Sequence, residues 1–200
     1  MENNASEYEK IQMEARAVDI VRQTKNTQPL NNCNIILFDA SGGVYGMVTE
    51  GTDFTWLEGK PYFSKLASSR SIIWEGGSTG IGKNNEGRFI ISAIKAVKDK
   101  HGRVLYYIVA ETDEKVFFDL YKGTLNLNNT ICIVDEYGTI ASSSIREQNG
   151  ESFSEQYGVT AEQLDSGLDR KVRLNSRDYM VLKKQISGTN WWIVDMVPFK

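Results

Sequence analysis

The sequence predicts an α+β protein, a long N-terminal helix followed by two antiparallel-sheet modules in tandem. Three observations predict it. The twelve residues from Ile35 to Gly46 match Ile131 to Ser142 without a gap, at an offset of 96 residues. After each copy come further strand-like runs separated by turn residues. Residues 1–31 carry the spacing of a helix instead.

In the first segment, Ser6-Glu7-Tyr8-Glu9 has the capping-box form, in which Ser6 and Glu9 satisfy amides at a helix start. Ile11, Ala15 and Val18 fall on one face, and Met13, Ala17 and Ile20 make a second apolar stripe. Two stripes imply two packing partners, the helix's own domain and another copy of itself. Gln28 to Asn32 ends the helix. The repeat follows, each copy a strand, a D-x-x-G turn and a second strand. Its aspartate can bond the turn backbone, and its glycine takes the positive φ that closes a hairpin. Arg88 to Val97 and Arg103 to Ala110 read as a hairpin about the turn Lys98 to Gly102. Thr112 to Lys122 reads as a helix with Val116, Phe117 and Leu120 apolar, stopped by Gly123. Glu147 to Gly167 reads as loop with a short helix. Arg170–Leu174, Asp178–Ile186 and Trp191–Val197 are three closing strands.

Composition narrows the function classes. Two hundred residues make one large domain or two small modules. A net charge of −3 without a basic cluster argues against nucleic acid as partner. No apolar run approaches the ~20 residues needed to span a bilayer, and no signal peptide opens the chain. The protein is therefore cytosolic, or this chain is the soluble part of something larger. Two cysteines and one histidine cannot furnish a four-ligand zinc site. Cys33 and Cys132 each sit in an apolar run, where a thiol acts as a small hydrophobe; a disulfide joining the halves is the alternative. His101 precedes Gly102 in a turn, as a solvated residue.

One motif imitates an enzyme. Gly77-Ser78-Thr79-Gly80-Ile81-Gly82-Lys83-Asn84 is one residue from a phosphate-binding G-x-x-x-x-G-K-[ST] loop. Asn84 stands where a metal-ligating hydroxyl belongs, and Gly87 follows where a helix should open. The repeat also explains Asp135 as a turn residue, because Asp39 has the same place in the first copy. Gly76 to Gly87 is read as a flexible surface loop, and nucleotide binding stays a remote alternative. No nucleophile elbow or H-E-x-x-H is present, and one histidine leaves a Ser-His-Asp triad little room.

With the repeat in hand, three stretches resemble a known family. They are His101 to Ala110 as the strand before a linking helix, Ile133-Val134-Asp135-Glu136-Tyr137-Gly138-Thr139-Ile140 as an I-x-D-x-x-G-x-I hairpin, and Gly188 to Pro198 as a closing G-W-x-x-V-x-x-x-P strand. Together they resemble the double-Cache domain, the extracytoplasmic sensor of bacterial histidine kinases, chemoreceptors and diguanylate cyclases. The resemblance implies two PAS-like modules: a stalk helix over 1–31, a membrane-distal module over 32–111, a linking helix over 112–128 and a membrane-proximal module over 129–200. It implies a small-molecule-sensing domain, not itself an enzyme and without cofactor or metal, held between two membrane spans on the extracellular face. A sensor histidine kinase is the first expectation for the receptor, with a diguanylate cyclase, a chemoreceptor or a non-ligand-binding interaction module as alternatives. A weak homodimer through the N-terminal helix is expected, with both chain ends at the membrane side.

The resemblance places the ligand in the distal module. The cover is Phe54 to Phe63, with Trp56 and Tyr62; the floor is Trp74, Arg88, Ile90, Ser92 and Tyr106. The ligand contacts expected are Trp56, Tyr62, Trp74, Arg88, Ser92 and Tyr106. Amino-acid-binding members carry Arg-x-Trp-Tyr and a strand-end aspartate. Here stand Gly59-Lys60-Pro61-Tyr62 and Ala110, with Glu111 or Glu75 as possible substitutes. A small carboxylate, a sugar or an amine-type metabolite is the expected ligand.

Overall fold

The structure, a computed structural model, describes residues 15, 33–46, 51–81, 87–126, 128–164 and 171–199. Apart from Ala15, the expected N-terminal helix, with its stripe Met13, Ala17 and Ile20, lies outside them, as does Lys83. Among the described residues, ten strands form two sheets. The first is built from β1 (Cys33–Asp39), β2 (Val44–Gly46), β3 (Ile73–Ser78), β4 (Ile90–Lys98) and β5 (Val104–Asp113). The second comprises β6 (Thr130–Val134), β7 (Ile140–Ser143), β8 (Lys171–Leu174), β9 (Arg177–Gln185) and β10 (Trp192–Pro198). Their orders are β2-β1-β5-β4-β3 and β7-β6-β10-β9-β8, the same order strand for strand. The sequence repeat is therefore a repeat of topology.

The repeated aspartate explains why both copies turn alike. Asp39 Oδ1 accepts from the amides of Ser41 at 2.8 Å and Gly43 at 2.9 Å. Asp135 Oδ1 accepts from Tyr137 at 2.9 Å and Thr139 at 2.8 Å. Gly42 and Gly138 take φ of 90° and 84°, where a side chain would clash with backbone. Asp99, with His101, Gly102 and Arg103, builds the same turn a third time between β4 and β5.

The described residues also include four short α-helices: α1 (Thr55–Glu58), α2 (Phe63–Leu66), α3 (Glu114–Tyr121) and α4 (Phe153–Tyr157). Asp113 caps α3 by accepting from the Lys115 amide at 2.9 Å. The buried face of α3 differs from expectation. Phe117, Phe118 and Tyr121 pack inward, while Val116 and Leu120 are exposed. Positions 114, 117, 118 and 121 share one stripe at helical spacing, and that stripe holds the larger aromatics.

Within the segment expected as a flexible loop over 76–87, residues 76–81 differ as well. Strand β3 continues through Ser78, and Gly80 and Ile81 are buried. A Cβ on Gly76 would stand 2.2 Å from Ala141 Cβ, so its bare backbone is a packing surface. Gly77, at φ 70°, lies against Gly150. Close backbone approach accounts for this part of the glycine-rich motif.

The described residues divide into two units. The first holds 15, 33–46, 51–73, 81 and 93–112, and the second 74–80, 87–92, 113–126, 128–164 and 171–199. In the first, Ile36, Phe38, Ile94, Ala96, Tyr107 and Val109 line one sheet face, covered by Leu57, Tyr62, Leu66 and Ile81. In the second, Cys132, Val134, Leu174, Val181, Val194 and Met196 pack beneath Phe153 and Tyr157 of α4. Both cysteines are free, and burial pushes the Cys132 thiol up to about 11.

Candidate functional site

The candidate site lies on the covered face of the first sheet. Asp53 starts the cover by accepting from the Thr55 amide at 2.9 Å, and α1 and α2 follow as single turns. This arrangement sets Leu57, Tyr62 and Leu66 inward, each nearly inaccessible to solvent. Phe54 is the hub of an aromatic cluster. Its ring lies 5.5 Å from Phe38 and 5.8 Å from both Phe63 and Tyr107, in tilted and edge-on contacts. Lys60 holds its ammonium 4.1 Å from the Trp56 ring centroid, a cation–π contact.

A carboxylate lies on the same sheet face. Alternation along β5 puts Tyr107, Val109 and Glu111 on the covered side. Glu111 is only 2% exposed and accepts from the Ile81 amide at 2.7 Å, binding the buried end of that segment to the sheet. Burial also raises the Tyr107 hydroxyl above the usual tyrosine range.

The residues expected from the sequence are distributed unevenly. Trp56 and Tyr62 are together in the first unit's core. Trp74 is half-buried in the second unit, its ring 6.2 Å from Trp191. Arg88 is exposed and precedes β4, which starts at Ile90. Ser92 is fully buried, on the face of β4 shared with Ile94 and Ala96, and its hydroxyl has no hydrogen-bond partner. Tyr106 is on β5. It lies on the face of β5 shared with Ile108 and Ala110, because a one-residue step reverses a strand side chain. Tyr107 holds the place expected for Tyr106. Strand β5 also runs on to Asp113, so Ala110 does not end it. Glu111, named in the sequence only as a substitute carboxylate, is thereby the acidic group of this face.

The second unit has a buried polar cluster. Glu114, 1% exposed at the start of α3, accepts from the Ser142 hydroxyl, which is 2.8 Å from the Tyr121 hydroxyl. Burial raises the Glu114 carboxyl above its ordinary range, against the pull of Ser142 and Arg146. Among the described residues, no group of three His, Cys, Asp or Glu is placed to hold a metal ion.

The chain thus has two antiparallel sheets of the same strand order, the first roofed by an aromatic segment over a carboxylate. The chain matches no protein-family profile and no curated protein sequence. Its likeness is to solved structures. It is similar to the extracellular domain of rpHK1S-Z16, described as a histidine kinase, with a TM-score of 0.66 and 14% identity over 94% of this chain and 86% of that one. It is similar to the ligand-binding domain of the Pseudomonas aeruginosa amino-acid chemoreceptor PctB in complex with L-Arg, with a TM-score of 0.65 and 13% identity over 94% and 81%. A third is the ligand-binding domain of the Pseudomonas fluorescens chemoreceptor CtaA in complex with L-alanine, with a TM-score of 0.62 and 18% identity over 92% and 85%. Among the described residues, no helix is long and apolar enough to cross a membrane.

Proposed function

We propose that this chain is the extracellular small-molecule-sensing domain of a membrane receptor, and that the receptor is a sensor histidine kinase. The observation that carries the reading is the buried Glu111 carboxylate on a sheet face roofed by an aromatic segment, within the Cache-type fold. In this reading residues 32–111 take the ligand and 129–200 pass the response on, with 112–128 between them. Residues 1–31 form the stalk through which two copies associate weakly. The domain itself performs no chemistry; any catalysis belongs to an effector.

Trp56, Tyr62, Tyr107 and Glu111 are the contacts on which the proposal rests. A carboxylate in an apolar, aromatic surround favours a ligand with an ammonium group, through a charge-assisted hydrogen bond. The ligands of PctB and CtaA, L-Arg and L-alanine, carry one too. A second reading, an interaction module without ligand, draws on the complete burial of Leu57 and Leu66 against the sheet.

A thermal-shift screen of amino acids, amines, carboxylates and sugars separates the readings. A ligand at 100 times its Kd adds ~2.7 kcal/mol, which moves the midpoint several degrees at roughly 2–4 °C per kcal/mol. An amine that stabilises the native chain but not Glu111→Gln supports the proposal. An anion whose effect disappears in Arg88→Ala would replace the amine with a carboxylate ligand. No shift from any class would favour the interaction module.

A further inference from the structure

The second unit has a cleft of its own at the rim of its inner core, with a volume of about 380 Å³. Its walls come from the start of β6, the turn at 145–148, the end of α4 and the β8–β9 hairpin. Among the described lining residues there is one cation, Arg177, and no carboxylate.

Gln148 and Arg177 bring donors to the lining. Gln148 Oε1 accepts from the Ser143 hydroxyl at 3.0 Å and from the Tyr157 hydroxyl at 2.9 Å. Those bonds fix the carboxamide, so its Nε2 hydrogens turn away from both partners. The Arg177 guanidinium is exposed and has no ion-pair partner among the described residues. The neighbouring acid, Asp178, is taken by Lys171 at 2.6 Å. Asn175 is held in place by donating from Nδ2 to the Gln156 carbonyl at 2.5 Å. Leu174 and Ile145 supply an apolar wall.

From this arrangement we propose a second ligand site in the cleft, for a small carboxylate with a short apolar tail. The planar guanidinium of Arg177 takes the carboxylate through two parallel bonds. Gln148 Nε2 and the Tyr179 hydroxyl donate beside it, and the tail rests on Leu174 and Ile145. The volume is within the range of small-molecule sites. This site goes beyond the sensing function proposed for the first unit and requires neither that function nor a particular receptor type.

Sodium butyrate is the probe, titrated into the 200-residue chain and followed by amide NMR, with sodium chloride matched for ionic strength. We expect saturable shifts at the Gln148 side-chain amide, at Tyr157 and across residues 175–179. Arg177→Gln weakens binding about tenfold or more, and Arg177→Lys retains part of it. Because Arg177 is exposed, the variant spectra should otherwise overlay the native one. The proposal fails if the shifts do not saturate, if chloride reproduces them, if they fall only within 33–112, or if Arg177→Gln binds butyrate as tightly as the native chain.

Discussion

Asp39 and Asp135 hold the same place in two copies of one turn, yet their surroundings drive their carboxyls in opposite directions. Burial raises both. At Asp39 the Ser41 hydroxyl at 2.6 Å and the Tyr45 hydroxyl at 3.0 Å add to the turn amides, and the carboxyl falls to about 2. At Asp135 burial outweighs the amides of Thr139 and Tyr137, and the carboxyl rises to about 6. Turn geometry is thus shared, while the charge state is set by what lies beyond the turn.

Their contributions to stability should therefore run oppositely with pH. The raised Asp135 contributes fully below its unfolded value of 3.8, and that contribution is lost as pH climbs to about 6. The depressed Asp39 contributes above 3.8, and its share is lost as pH falls toward about 2. Denaturant melts at pH 7 should show Asp135→Asn more stable than the native chain by about 1–3 kcal/mol. Asp39→Asn should be less stable by about 1–2 kcal/mol. Equal shifts of one sign would contradict the opposed environments.

Gly76→Ala tests the close approach of β3 to Ala141. The added methyl has no room, and overpacking of this kind costs about 1–3 kcal/mol. Differential scanning calorimetry should show a midpoint lower by several degrees. Gly87→Ala is not a fair control, because Gly87 has φ 73°; Gly123, with open space and no positive φ, is. Gly123→Ala should leave the midpoint nearly unchanged.

Removing the Ser142 hydroxyl leaves Glu114 buried without that donor. Ser142→Ala should cost about 1–3 kcal/mol, measured by urea unfolding at pH 7. Tyr121→Phe removes only the outer member of the chain and should cost about 1 kcal/mol. A larger loss from Tyr121→Phe than from Ser142→Ala would mean that Glu114 does not depend on Ser142.

The β8–β9 turn places Asn175 and Ser176 at φ of 44° and 67°. A left-handed pair favours Asn followed by Gly. Ser176→Gly should therefore raise stability by about 0.5–1 kcal/mol, visible as a higher urea midpoint with an unchanged slope.

Much of the fold was legible because the repeat carries its own turn chemistry. Asp39 with Gly42, and Asp135 with Gly138, mark hairpins through local bonds that need no tertiary partner. The closing strands were legible for a similar reason, since Asn175-Ser176 and Ser187-Gly188 bracket alternating runs. The short helices α1 and α2 went unread because each is one turn, held by burial of Leu57 and Leu66 rather than by periodicity. Asp53, two residues before Thr55, was the available signal. Strand β3 was hidden by Gly76 and Gly77, which look like loop until Ala141 and Gly150 are seen against them. At the site, the resemblance put Trp56 and Tyr62 on the covering segment and Tyr106 on the floor, whereas Tyr107 is the tyrosine of the covered face. A register that fine follows from β1 pairing with β5, where Phe38 opposes Tyr107, and no local pattern encodes it.

The tryptophans divide between the two units in a way that makes the chain its own optical reporter. Trp74, Trp191 and Trp192 belong to the second unit, and Trp56 alone stands in the first, on the covering segment beside the Lys60 ammonium. Exchanging those three for phenylalanine would leave one emitter. Its wavelength and quenching would then register any displacement of Lys60 from the indole face, so occupancy beneath the roof could be read from light without a label.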